Sequence, residues 1–179
     1  MTSVKPAVTF RQSNRSADFL AGIREGEASP RHMIDRGRLL HTLFAGIRTL
    51  DDIDPAIRRL TAEGIIAGPE AEDDIRSLAR HAFALPQVQD WYSGQWRTLA
   101  ECDIIWHEEG ALHTRRPDRV MMRDGEVVVV DFKFGKPDPK YKRQVQEYLR
   151  LLYRMGADPA HTRGYLWYVD EGRVEEVSH

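Results

Sequence analysis

Between residues 31 and 50 the apolar positions Leu40, Leu43, Phe44, Ile47 and Leu50 recur at three- and four-residue intervals. That spacing is one face of an amphipathic helix, and His41 lies at the edge of its stripe. A second helix should follow at once, with Asp54 as N-cap, Pro55 at the first helical position and Gly64 closing it. A third is expected from 69 to 85, stopped by Pro86, with a short turn at 87–91. The texture then changes near Trp96. Three strand-like runs, 98–108, 111–122 and 126–134, are joined by Glu109-Gly110 and Asp124-Gly125, which predicts an antiparallel meander. Asp138-Pro139 opens another helix that runs to Met155 and closes at Gly156, with Tyr141, Val145, Tyr148, Leu149 and Leu152 facing inward. Runs 164–169 and 173–177 form a last strand pair around Glu171-Gly172. The first thirty residues carry only a weak helical patch at 17–23 and read as a flexible lead-in. The expected architecture is an α+β domain over 31–179, helical from 31 to 95, then a sheet-and-helix core from 96 to 179 with a small central mixed sheet.

The Asp124-Gly125 turn fixes more than a hairpin. With those two as the loop residues, Arg123 faces Glu126 and the register places Asp118 opposite Asp131. Opposed residues hold their Cβ atoms roughly 4.5 to 5.5 Å apart, where two like charges destabilise the pair. Something cationic belongs between them. The two-residue period puts Lys133 on the face of Asp131 and turns Val128, Val130, Phe132 and Phe134 to the other, so two carboxylates and an ammonium converge. Hard divalent ions such as Mg²⁺ are held by one or two carboxylates plus water and substrate phosphate. A lysine beside them can position a water or neutralise charge in a phosphoryl-transfer transition state.

Composition narrows the field. The chain has 179 residues, 41% of them hydrophobic, enough for one domain with a real core. It lacks an apolar run of membrane-spanning length and a secretory leader pattern, so a cytoplasmic protein without a membrane partner is expected. Cys102 is the only cysteine, which excludes an internal disulfide, a zinc ribbon and a four-cysteine cluster. The net charge is −2, but residues 115–154 hold eleven Lys plus Arg against six Asp plus Glu, a block of +5 that leaves −7 elsewhere. Such segregation can steer a polyanion to one face, with Arg116, Lys136, Lys140 and Arg143 as phosphate contacts, although ordinary small domains show charge imbalances of this size too.

Pro117-Asp118, a spacer, then Asp131-Phe132-Lys133 resembles the signature of the PD-(D/E)xK nuclease superfamily, with its restriction-endonuclease-like core. Gln144 and Tyr148, four apart on one helix face, read alone as packing; after this hairpin they complete a second pattern, Gln-x-x-x-Tyr. His41 alone is an ordinary helical histidine. In its setting, Asp35-Arg-Gly-Arg-Leu-Leu-His41, it extends the resemblance, which over roughly 41–177 is to the nuclease domain of the RecB and AddAB family, found on bacterial helicase-nucleases that process double-strand breaks. The resemblance implies a deoxyribonuclease using Mg²⁺ or Mn²⁺ held by His41, Asp118 and Asp131. Lys133 matches the family lysine, and Gln144 and Tyr148 the residues thought to support the site and the DNA strand. It also implies DNA as substrate and a helicase motor in the same polypeptide or complex. Glu101 stands where relatives often have an acidic residue, and reads equally as an edge-strand carboxylate. This chain departs from the pattern in three respects: Arg115-Arg116-Pro117 replaces a glycine-containing approach, the cysteine cluster of some relatives is missing, and no phosphate-binding Gly-x-x-x-x-Gly-Lys loop occurs. Two rival readings stay open, a non-catalytic DNA clamp and a stand-alone nuclease acting on another nucleic acid.

Overall fold

The computed structural model describes residues 30–100, 103–108 and 111–178. Four helices come first, α1 (Pro30–Gly46), α2 (Ile53–Ala62), α3 (Pro69–Ala82) and α4 (Pro86–Trp91), with a 3-10 turn at Leu50–Asp52. Strands β1 (Arg97–Ala100), β2 (Ile104–Glu108), β3 (Ala111–Arg115), β4 (Arg119–Arg123) and β5 (Glu126–Lys133) precede α5 (Pro139–Arg154), and β6 (Thr162–Tyr168) and β7 (Arg173–Val177) follow. Five strands form one mixed sheet in the order β1-β4-β5-β6-β7, in which β5 and β6 run parallel and the other pairs antiparallel. Strands β2 and β3 pair apart from it as a ribbon. The architecture is the α+β class that the pattern predicts.

Helices cover both faces of the sheet. Leu40, Leu43 and Phe44 of α1, and Ile47 just after it, are fully buried and pack in one cluster with Val128, Val130 and Phe132 of β5. Each such side chain contributes roughly 1.5 to 3 kcal/mol relative to exposure. On the opposite face Val120, Val129, Leu166 and Tyr168 pack with Val145, Tyr148 and Leu149 of α5. Gly164 permits that approach, because a Cβ there would stand 2.6 Å from Val145 Cγ1 and 3.0 Å from Leu149 Cδ1. Strand β5 is therefore buried on both sides from Val128 to Phe132, so Asp131 is a carboxylate inside an otherwise apolar run.

Several boundaries differ from the sequence reading. The second helix starts one residue before Asp54; the carboxylate of Asp52, not Asp54, serves the turn, accepting from the Arg48 and Thr49 amides at 3.1 and 2.8 Å. The third ends at Ala82 instead of 85. The runs 98–108 and 111–122 each break in two. In both ladders, β1 with β4 and β2 with β3, paired residue numbers add to 219, so one long hairpin is interrupted. The interruption includes Pro117, which has no N–H to donate to a ladder. The expected lead-in and its patch at 17–23 lie outside the described residues, as do Glu101 and Cys102. Among the described residues no helix is long and apolar enough to cross a membrane.

Candidate active site

The β4–β5 turn has the expected chemistry, with Asp124 at φ 50° and Gly125 at φ 87°, the left-handed pair of a type I′ turn. Its register is the one the turn dictates, from Arg123–Glu126 to Arg119–Val130. The ladder stops one pair short of Asp118 and Asp131. Asp118, released by the break at Pro117, turns its side chain along the strand end and accepts the Phe132 amide at 2.6 Å. Its other oxygen faces His41 Nδ1 at 3.3 Å. The α1 stripe brings His41 there, with its ring edge-on to Phe134 at 5.0 Å. Lys133 reaches back along β5 to ion-pair with Asp131 and donates to Gln144 Oε1 at 3.1 Å. Gln144 Nε2 donates to Tyr148 OH at 2.7 Å, and that hydroxyl donates to the Arg116 carbonyl at 3.3 Å. A single chain of contacts therefore runs from Asp131 to the backbone just before Asp118.

Electrostatics set Asp131 apart. It is 2% exposed, and although Oδ2 lies against the Lys133 ammonium, it has no aligned hydrogen bond. Burial, and then the charge of Asp118, push its carboxyl up to about 6 against the opposing pull of Lys133 and His41. Burial alone would depress His41, but its hydrogen bond to Asp118 and the charges of Asp118 and Asp131 outweigh that and raise it. Burial, then the Asp131 charge, raise the Tyr148 phenol, so it stays protonated and able to donate.

His41, Asp118 and Asp131 are thus linked by contact and charge, but they are not arranged as a finished metal cage. Among the described residues no three His, Cys, Asp or Glu side chains are grouped to hold an ion. Each candidate is turned to a neighbour: Asp118 to the Phe132 amide and His41, Asp131 to Lys133. The donor chemistry nonetheless fits a hard divalent ion, since carboxylate oxygens and one imidazole are ligands such ions accept. The buried Asp131 Oδ2 already lies against one cation, the Lys133 ammonium, so this end of the site draws positive charge.

Of the four predicted phosphate contacts, two are engaged elsewhere. Arg116 holds Asp103 by a fork of 2.7 and 3.0 Å, and Lys140 pairs with Asp138 at 3.0 Å. Lys136 and Arg143 are exposed and form no ion pair among the described residues. The sequence reading missed Arg119. It is 1% exposed, donates to the carbonyls of Ile47, Arg48 and Trp91 at 3.0 to 3.2 Å and to Thr98 Oγ1 at 3.1 Å, and stacks 3.8 Å from the Tyr92 ring centroid. It ties the end of α1, which carries His41, to the residue after Asp118. Nothing in a Pro-Asp-Arg triplet marks such an arginine as buried.

No curated protein matches the chain. A family model described as the PD-(D/E)XK nuclease superfamily matches residues 3–178, a wider span than the motifs cover. The match takes in the Pro117-Asp118 and Asp131-x-Lys133 segments that the hairpin brings together, and the chain belongs to the PD-(D/E)XK nuclease superfamily.

Proposed function

We propose that this chain is a divalent-metal-dependent deoxyribonuclease of the RecB and AddAB type, working with a helicase motor in double-strand-break processing. Membership of a nuclease superfamily implies phosphodiester hydrolysis. The observation that supports the finer reading is the placement of Lys133 between the buried Asp131 carboxylate and Gln144, with Asp118 held against His41 and near enough to Asp131 for its charge to raise that carboxyl. In this reading Asp118 and Asp131, with His41, hold Mg²⁺ or Mn²⁺. Bound there, the ion would supply Lewis acidity and a nucleophile available at neutral pH.

The chain's own side chains do the rest. Lys133 presents its ammonium where charge develops on the phosphate, held by Gln144 so that little reorganisation is needed during reaction. Tyr148 fixes Gln144 and anchors it to the backbone before Asp118, keeping the lysine and the carboxylates at a set separation. Lys136 and Arg143 offer charge to neighbouring phosphates. A DNA clamp without turnover is the second reading, favoured by one observation, that Asp131 is already paired with Lys133 and no three-ligand group is preformed among the described residues.

Incubating end-labelled linear duplex DNA with the protein in Mg²⁺, in Mn²⁺ and in chelator separates the two. The nuclease reading expects cleavage with either ion and none in chelator. Binding without cleavage under all three conditions favours the clamp.

A further inference from the structure

The helix stripe of α5 contains a residue that the motif reading assigns only to packing. Tyr141 lies one turn before Gln144 and two turns before Tyr148, so the three share one helix face. Its ring centroid is 4.4 Å from Lys133 Nζ, within cation–π range. Lys133 is thereby enclosed by three different groups: the Asp131 carboxylate, the Gln144 carbonyl oxygen at 3.1 Å and the Tyr141 ring. Its side chain is only 14% exposed, so the ammonium has few water partners to substitute for them. A long, flexible lysine stem is poorly located by a carboxylate alone, because an ion pair tolerates many directions. The ring supplies a wall and Gln144 a direction.

We propose that Tyr141 is a positioning residue for Lys133, its aromatic face holding the ammonium beside the Asp118–Asp131 pair. The proposal rests on the nuclease reading for its consequence in catalysis, but the contact itself does not. Lys140 also approaches the ring, at 5.2 Å, yet it is held by Asp138 and by that residue's place at the helix N-terminus. The ring is therefore free to serve Lys133. What matters in Tyr141 is then the ring and not the hydroxyl.

That distinction gives the test. Full-chain Tyr141→Phe keeps the ring and Tyr141→Leu removes it, and both are to be compared with the wild type after their melting temperatures are measured. The first readout is steady-state cleavage of linear DNA in Mg²⁺. Displacing a catalytic group by an ångström costs on the order of 100-fold in rate, so Tyr141→Leu should lose about 10- to 100-fold in kcat with KM nearly unchanged, while Tyr141→Phe stays within about twofold of wild type. The second readout needs no activity: the rate at which Lys133 is acylated by an amine-reactive ester, followed by peptide mass spectrometry. It should rise several-fold in Tyr141→Leu and stay put in Tyr141→Phe. Unchanged kcat and unchanged Lys133 labelling in Tyr141→Leu overturn the proposal, as does a Tyr141→Phe variant that behaves like Tyr141→Leu. If the wild type cleaves nothing, the nuclease reading falls and the labelling comparison alone decides whether the ring holds the lysine.

Discussion

Lys133 lies outside the proposed metal-ligand set of His41, Asp118 and Asp131, and so its removal separates chemistry from binding. Loss of one preorganised charge-stabilising group commonly costs on the order of 10² to 10³ in rate, so Lys133→Ala should nearly abolish cleavage, measured as initial rate, while the protein still gains stability from Mg²⁺. Wild-type cleavage by that variant contradicts the role. Arg119 tests the scaffold instead. Truncation to methionine leaves buried carbonyls of Ile47 and Trp91 without a donor, and each such acceptor costs about 1 to 3 kcal/mol. Arg119→Met should therefore lower urea-unfolding stability by roughly 3 kcal/mol or more. A loss under about 1 kcal/mol would show that the guanidinium is not the tie between the end of α1 and β4, which starts just after Asp118. These two residues also mark what a sequence can reveal. Lys133 was legible because strand alternation and one turn place it. Arg119 was not, because only tertiary structure brings the carbonyls of 47, 48 and 91 to one point.

Elements were readable where local chemistry decides them. The Asp124-Gly125 turn dictates the β4–β5 register, and the Asp138-Pro139 start of α5 is seen in full, with the Asp138 carboxylate accepting from the Lys140 amide at 2.9 Å. Pairing between distant segments was harder. Alternation within 98–108 and 111–122 says nothing of where the ladder divides, and the parallel partnership of β5 with β6 depends on α5 crossing the sheet between them. The seam between α5 and β6 offers an element-scale test at Gly164. A methyl there meets Val145 and Leu149, and overpacking of this kind costs typically 1 to 3 kcal/mol. Since Val145 adjoins Gln144, Gly164→Ala should both lower the melting temperature and reduce kcat, with KM less affected. A variant that is destabilised but fully active would mean that helix α5 can shift without disturbing the lysine.

At the scale of the whole molecule the +5 block changes its meaning once the chain is folded. Arg119 is buried, and Arg116, Arg123 and Lys142 pair with Asp103, Asp90 and Glu175, acids from outside the block. Sequence segments cannot show such cancellation. Lys136 and Arg143 are then the expected phosphate contacts, and each neutralised phosphate contributes roughly one unit to the slope of log affinity against log salt. The double variant Lys136→Ala, Arg143→Ala should lose about two units of slope in fluorescence-anisotropy titrations, and Arg116→Ala, Lys140→Ala much less; the reverse order would move the DNA path toward the ribbon.

The central claim, that Asp118 and Asp131 share a divalent ion, is also a claim about global stability. Burial and the neighbouring Asp118 charge push the folded Asp131 carboxyl up to about 6, so its charge destabilises the fold in full above that pH, and the penalty shrinks as pH falls from about 6 toward the ordinary carboxylate value of roughly 4. A two-unit rise corresponds to roughly 3 kcal/mol at neutral pH. Thermal melts of wild type and Asp131→Asn, in chelator and in Mg²⁺ at neutral pH, test this directly. The account predicts that Asp131→Asn melts several degrees above wild type in chelator, that Mg²⁺ raises the wild type, and that the variant gains little from the ion. An Asp131→Asn protein that melts below wild type in chelator and still shifts fully with Mg²⁺ would contradict it.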